Sequence, residues 1–365
     1  AVVSRVMDPV RGTEYLLRDL LAPTVRESYE DLFEATRNAD LIVTHPITFA
    51  GPMVVDARSL PWVSTVLAPM SFFSAHELPV FAPAPWLHGL RHVSVASEML
   101  VWLAKAVTRR WTRPIDELRS SMRLQPRPDP VFEGQHSPAC VLALFSRLLG
   151  APQPDWPPRT LVTGHIFFDG GSVPLPEELE DFLAAGPAPV VFTLGTSAVA
   201  TAASAGRFYL ESAAAAARAG LRAVLLIGSY PENRPSRLPD DVIAVEYASH
   251  ALLFPRAAAI VHQGGIGTTA QALRSGRPML IVPFAHDQPD NAWRVQRLGV
   301  ARTLFPRRYR AHRVERELRA LLAQDTFTRR AGAVGMEVRS ENGEAAASEA
   351  IERQLSEVRI GRGRH

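Results

Sequence analysis

The stretch Val261–Leu273, VHQGGIGTTAQAL, constrains the fold more than any other part of this 365-residue chain. A short apolar run, Ala257–Val261, reads as a buried strand, and it ends in the turn Gly264-Gly265-Ile266-Gly267. Thr268 and Thr269 then open a helix that ends near Gly276. A strand, a glycine-rich turn and a helix N-terminus together make an anion site from backbone alone, because unpaired N–H groups and the positive end of the helix dipole converge on one spot. Glycines let that backbone come close to a phosphate. The next apolar run, RPMLIVPF, reads as a second buried strand and leads into His286-Asp287-Gln288. A phosphate cradle and a reader of sugar hydroxyls at the ends of successive strands imply a nucleotide-sugar site.

The rest of the second half repeats this pattern. Val190–Gly195, AVLLIG, DVIAVEY, AAIVH, PMLIVPF and VARTL are short apolar runs separated by helical segments, among them Arg207–Ala219, TTAQALRS, DNAWRVQRL and RVERELRALLAQ. Six strands alternating with helices predict an α/β fold with a parallel, doubly wound sheet. Ligands of such sheets bind outside the C-terminal strand ends, which is where Thr196-Ser197, Tyr247, His262 to Thr269 and Asp287-Gln288 fall. The first half is less regular. Glu14–Asn38 reads as a long helix broken at Pro23, 93–122 as a helical stretch interrupted at Pro114, and 71–90 as a loop rich in proline and aromatic residues. ADLIVTHP, LPWVSTVLAP, ACVLALFS and TLVTGHIF read as strands. The expected organisation is a first domain over 1–168, a linker over 169–189, a second domain over 190–342, and a helix in 343–365 that packs back on the first domain.

Composition excludes more than it assigns. The length suits two domains of about 150 residues each. With 40 basic against 37 acidic residues, the net charge of +3 calls for neither a nucleic-acid nor a membrane partner. The single cysteine, Cys140, lies in the apolar run ACVLALF and reads as a buried strand residue. No disulfide framework or zinc cluster can be built from it, which points to a reducing, cytoplasmic setting. No apolar run approaches the roughly 20 residues that span a bilayer.

The second half resembles the donor-binding half of GT-B, family-1 glycosyltransferases: the plant UDP-glycosyltransferases, the bacterial macrolide and glycopeptide transferases, and the sterol glucosyltransferases. The likeness rests on four motifs in the right order: a GTS turn, Tyr-Ala-Ser-His, HQGGIGTT and DQPDNA. The front stretches ADLIVTHPITFAGP and LPWVSTVLAPMSFF look like bacterial members. This resemblance implies two Rossmann-like, doubly wound domains facing a cleft. It implies that Tyr247 stacks on the donor base, with His250 nearby. Gln263, Gly265, Gly267 and Thr268 fall on the pyrophosphate loop, with Thr196 and Ser197 across from it. The family usually has His where Gln263 stands; His262 either compensates or is a strand-end histidine. Gln271 falls where plant members use Glu for the ribose hydroxyls, and Asp287 and Gln288 fall on the pair that reads the sugar. Asp287 also suits the N-cap of the following helix.

The family's reaction is an inverting displacement in which the helix N-terminus and loop donors meet the leaving charge, so no metal and no cofactor are expected. The substrates implied are a UDP- or dTDP-sugar and a small lipophilic acceptor, used by a monomer or homodimer. The acceptor wall is expected from Met70, Phe72, Phe73, His76, Phe81 and Trp86, which could equally be core. The family's base histidine follows the first strand of the fold, and no such unit is found here. An amino-terminal segment is therefore expected to be missing, which would leave two unpaired inner edges in the first sheet. His45, in LIVTHP, is the remaining candidate base or positioner, or a loop histidine at a strand end. The competing readings are a nucleotide-sugar 2-epimerase and a non-catalytic nucleotide-sugar-binding protein.

Overall fold

A computed structural model describes residues 2–169 and 174–362. It divides into two compact units. One comprises Ala1–Val10, Phe81–Pro83 and Phe167–Ser340; the other comprises Arg11–Val80, Ala84–Ile166 and Glu341–His365.

The second unit carries a four-stranded parallel sheet, β1 (Ile42–Thr44), β2 (Trp62–Val66), β3 (Val141–Ala143) and β4 (Thr160–Val162), in the order β1-β2-β3-β4. The expected split of this sheet by two inner edges does not occur: the four strands run on without a gap, and β1 forms one edge with Val43 exposed. Trp62 Nε1 donates to Thr44 Oγ1 at 2.8 Å and ties β2 to that edge. One face is covered by the helix Gly343–Arg362, whose Ala347 and Ala350 join Val63, Cys140 and Leu142 in a buried cluster. Small side chains let a helix approach a sheet closely, and Cys140 behaves here as a packed apolar residue with its thiol pKa raised by burial. The stretch expected as one long helix is divided: a π-helical segment, Tyr15–Leu21, gives way to a turn at Pro23 before the helix Val25–Ala35. The helix Ser94–Thr108 is followed by Arg113–Ser121, with Pro114 in the first turn, where its missing N–H costs nothing.

The first unit holds six parallel strands: β5 (Val190–Thr193), β6 (Ala223–Leu226), β7 (Val242–Val245), β8 (Ala259–His262), β9 (Met279–Ile281) and β10 (Ala301–Thr303). Their order is β10-β9-β8-β5-β6-β7. Strands β5 to β9, the edge strand β7 included, are buried at every position, as a parallel sheet covered on both faces requires. Only β10, at an edge, shows partly exposed residues. The chain starts in the middle, at β5, winds out to β7 and returns to β8 on the other side. The β5/β8 pair, in register Phe192↔Val261, is thus the topological switch point of the sheet. Helices Ala202–Ala219 and Ile266–Ser275 each stop at a left-handed glycine, Gly220 and Gly276. The two longest helices of this unit that the sequence reading did not give have local reasons for being missed. Glu177–Ala184 lies within the stretch expected as a linker, and Asp325–Ser340 carries two interior glycines that weaken any helical signal.

Candidate nucleotide-sugar site

The C-terminal ends of β5 and β8 lie side by side, and each turns sharply through glycine. After β5, Gly195 adopts φ +61° and donates its N–H to Thr193 Oγ1 at 3.2 Å. After β8, Gly264 adopts φ +84°, and its N–H donates to His262 Nδ1 at 3.1 Å. A Cβ at Gly195 would overlap Gln263 Nε2, and one at Gly265 would lie 2.7 Å from the same atom. The two glycines therefore make room for the Gln263 side chain, which reaches Thr268 Oγ1 at 3.4 Å.

Gly265 is the N-cap of the helix Ile266–Ser275, and no side chain caps that end. The first intrahelical bond runs from Thr269 N–H to Gly265 O at 2.9 Å, so the N–H groups of the first turn keep their donors for another partner. At Gly267 a Cβ would meet nothing within 4 Å, so open space lies directly against that turn. The buried Gln263 Oε1, Thr269 Oγ1 and Asn291 Oδ1 have no hydrogen-bond partner among the described residues. Buried polar atoms are ordinarily satisfied, and these three belong to the glycine turn and to the two helices that follow β8 and β9.

The second side of the site comes from the loop after β9. Asp287 stands at the N-cap position of the helix Gln288–Arg297, yet its side chain makes no cap bond. Its Oδ2 instead accepts from Asn291 Nδ2 at 2.7 Å, and the same amide donates to Gly264 O at 2.9 Å. Asn291 thus clamps the phosphate-type loop to the carboxylate loop. The sequence reading passed it over, although its place four residues after Asp287 on a helix is a signal of contact. Burial raises the Asp287 pKa to about 6.

A family-level search matches residues 214–355 to the Erythromycin biosynthesis protein CIII-like, C-terminal domain. Over 348 residues the chain is 32% identical to the O-mycaminosyltylonolide 6-deoxyallosyltransferase of Streptomyces fradiae, covering 92% of this chain and 79% of that one. The chain belongs to the GT-B glycosyltransferase family. A Sterol 3-beta-glucosyltransferase of Neurospora crassa is 27% identical over 90% of this glycosyltransferase, which spans 22% of that longer protein. The crystal structure of the glycosyltransferase VinC in complex with DTDP shares the fold, with a TM-score of 0.64 at 21% identity over 93% of this chain and 80% of that one.

The expected donor residues of this glycosyltransferase fall into three groups. Gln263, Gly265, Gly267, Thr268 and exposed Thr196 flank the β5/β8 switch point, and the Ser197 side chain lies outside the described residues. Tyr247, just after β7, is 67% exposed. The remaining residues are more enclosed than expected. His262 is fully buried and neutral, its pKa lowered to about 3 chiefly by burial, so it shapes the turn through Nδ1 and cannot replace a missing cation. His250 stacks on Phe254 at 4.3 Å, and burial lowers its pKa to about 4, so one ring face is already used. Gln288 is buried, and its Oε1 accepts from Phe284 N–H at 2.8 Å and Ala285 N–H at 3.2 Å, leaving only the amide donors for a ligand. Gln271 donates Nε2 to Asp169 Oδ1 at 3.3 Å.

In the other unit, His45 follows β1 and accepts weakly from Ile47 N–H through Nδ1 at 3.4 Å; burial lowers its pKa. The expected acceptor residues divide. Phe72, only 9% exposed, stacks on Trp156 at 4.0 Å and belongs to the core. Phe73, in the left-handed region, sits on Phe132 at 4.4 Å. Met70 is half-buried, His76 is exposed, and Trp86 is 76% exposed. Phe81 clusters with the six-stranded unit instead. Phe72, Phe73, Phe132, His136, Asp155 and Trp156 line a cavity of about 400 Å³. Among the described residues no helix is long and apolar enough to cross a membrane.

Proposed function

We propose that this glycosyltransferase moves a hexose from a UDP- or dTDP-sugar to a hydroxyl of a lipophilic small molecule, with inversion at the anomeric carbon and without a metal. The observation that carries the reading is the uncapped N-terminus of the helix Ile266–Ser275 at the switch point, bridged by Asn291 to Asp287. In this reading the first-turn N–H groups, Gln263 and Thr268 hold the diphosphate and take up its growing charge as the bond to the sugar breaks. Tyr247 stacks on the base, and the Asp287 carboxylate accepts from two adjacent sugar hydroxyls, with Gln288 donating beside it. The attacking hydroxyl gives its proton to a base. His45 is the candidate: it is exposed just after β1, and its bond from Ile47 N–H is long enough to give way to a substrate proton.

The relatives are consistent with this reading: one is named for transfer to O-mycaminosyltylonolide, another for transfer to a sterol, and a third holds DTDP. The cavity of about 400 Å³, lined by Phe73, Phe132 and Trp156 and by Lys105, Glu133 and Arg159, suits an acceptor with an apolar body and polar substituents. A calorimetric titration with UDP and dTDP in the presence of EDTA tests the donor half. Micromolar binding of either supports it; binding only after magnesium is added, or none by folded protein, overturns it. Tyr247→Ala should weaken the bound nucleotide by about 1–3 kcal/mol, the worth of one base–aromatic stack.

A further inference from the structure

Two residues of the helix Ile266–Ser275, Gln271 and Arg274, meet Asp169 from the stretch before β5. Asp169 receives a bidentate pair from Arg274, Nη1 to Oδ1 and Nη2 to Oδ2, both at 2.8 Å. Its Oδ1 also accepts from Gln271 Nε2 at 3.3 Å. The Arg274 guanidinium lies over the Phe167 ring at 4.5 Å, so it is held from below as well as in its plane. The bond from Arg274 lowers the Asp169 pKa, and the group stays a carboxylate. A planar, bidentate arginine pair fixes direction as well as distance.

A glutamine amide has a donor end and an acceptor end, and free rotation presents either to a ligand. Here the donor end is committed to Asp169. The carbonyl Oε1 accepts no hydrogen bond from the described residues, so it is the end left over. A furanose diol offers hydroxyl protons and needs acceptors. We infer that Asp169 is a positioning residue that locks Gln271 as a hydrogen-bond acceptor for the ribose hydroxyls of the nucleotide. This rests on the proposed reading of the Ile266–Ser275 helix as the donor-binding helix. The carboxylate that would accept from the sugar directly is absent from position 271, and Asp169 restores an acceptor there through the amide it orients.

The experiment compares UDP with 2′,3′-dideoxyuridine diphosphate, which lacks both ribose hydroxyls, by calorimetry. The unaltered chain is expected to prefer UDP by about tenfold. Asp169→Ala should reduce that preference to less than twofold by weakening UDP and leaving the dideoxy ligand unchanged. Gln271→Glu alone should weaken both ligands, because it sets a second carboxylate against Asp169. The exchange Asp169→Asn with Gln271→Glu should restore the preference, since the new asparagine amide donates to a carboxylate that accepts from the diol. A merely structural Asp169 would shift both ligands together and would gain nothing from the exchange. If Gln271→Ala abolishes the preference and Asp169→Ala preserves it, the positioning role is overturned and the donor reading stands. If Gln271→Ala also preserves it, the ribose reading of this helix falls, and the positioning role with it.

Discussion

Asp287 is asked to do two things that pull its proton in opposite directions. To accept from sugar hydroxyls it must be a carboxylate, yet burial raises its pKa to about 6 against 3.8 in an open chain. The folded protein therefore holds this proton at pH values where the unfolded chain has lost it. The group favours folding in acid, and that advantage disappears as the pH rises through 6. Asp287→Asn removes the cost and keeps an oxygen for Asn291, so at pH 7 the variant should be more stable by up to about 3 kcal/mol. The same change should cost at least about tenfold in binding of the sugar-bearing donor and leave free UDP nearly unaffected. In the unaltered chain, donor affinity should fall below pH 6 while UDP affinity stays level. Calorimetric titrations from pH 5 to 8 check both; a variant that is destabilised, or one that loses UDP as well, contradicts this account of Asp287.

The helix Ile266–Ser275 has its position fixed by its far end as much as by the strand before it. At Gly335, in the helix Asp325–Ser340, a Cβ would stand 2.7 Å from Gly276 Cα and 2.9 Å from Gly276 N. Both atoms are backbone and cannot turn aside. Gly335→Ala should cost about 1–3 kcal/mol through overpacking and, by tilting the donor helix, weaken UDP as well. Gly332→Ala, where a Cβ meets nothing within 4 Å, is the matched control and should be neutral or slightly stabilising. Thermal melts with and without UDP distinguish the two. The contrast explains what the sequence made legible. Strands β5 to β9 announce themselves because strands buried on both faces must be apolar runs. The VHQGGIGTT turn does so because its geometry demands glycine. The helix Asp325–Ser340 went unread because the glycine its packing needs erases its local signal. Asn291, Asp169 and the enclosure of His250, His262 and Gln288 were not legible, since each depends on a neighbour distant in the chain or on the depth of a side chain. Phe72 was offered as acceptor wall or core, and the structure shows it both stacked on Trp156 and lining the cavity beside Phe73.

At the scale of the whole molecule, four histidines that are buried or half-buried govern the response to acid. Burial lowers the pKa of His136, His165 and His250 to about 4 and that of His262 to about 3. The unfolded chain protonates each near 6.5, so stability is full above that value and is lost as the pH falls toward 4. Each contributes a loss of about 2 kcal/mol by pH 5. Asp287 works the other way in the same window, but it is one group against four. The melting temperature should therefore drop steeply between pH 6.5 and 5, whereas a level profile would mean that these imidazoles are hydrated. Cys140 offers a separate view of the molecule. The chain has a single thiol, and it lies in the cluster closed by Ala347 and Ala350 of the terminal helix. Its burial under that helix should slow a disulfide reagent until the helix lifts. The rate of labelling is thus a clock for the undocking of the terminal helix, readable without any engineered probe, and a ligand that steadies this unit would slow it.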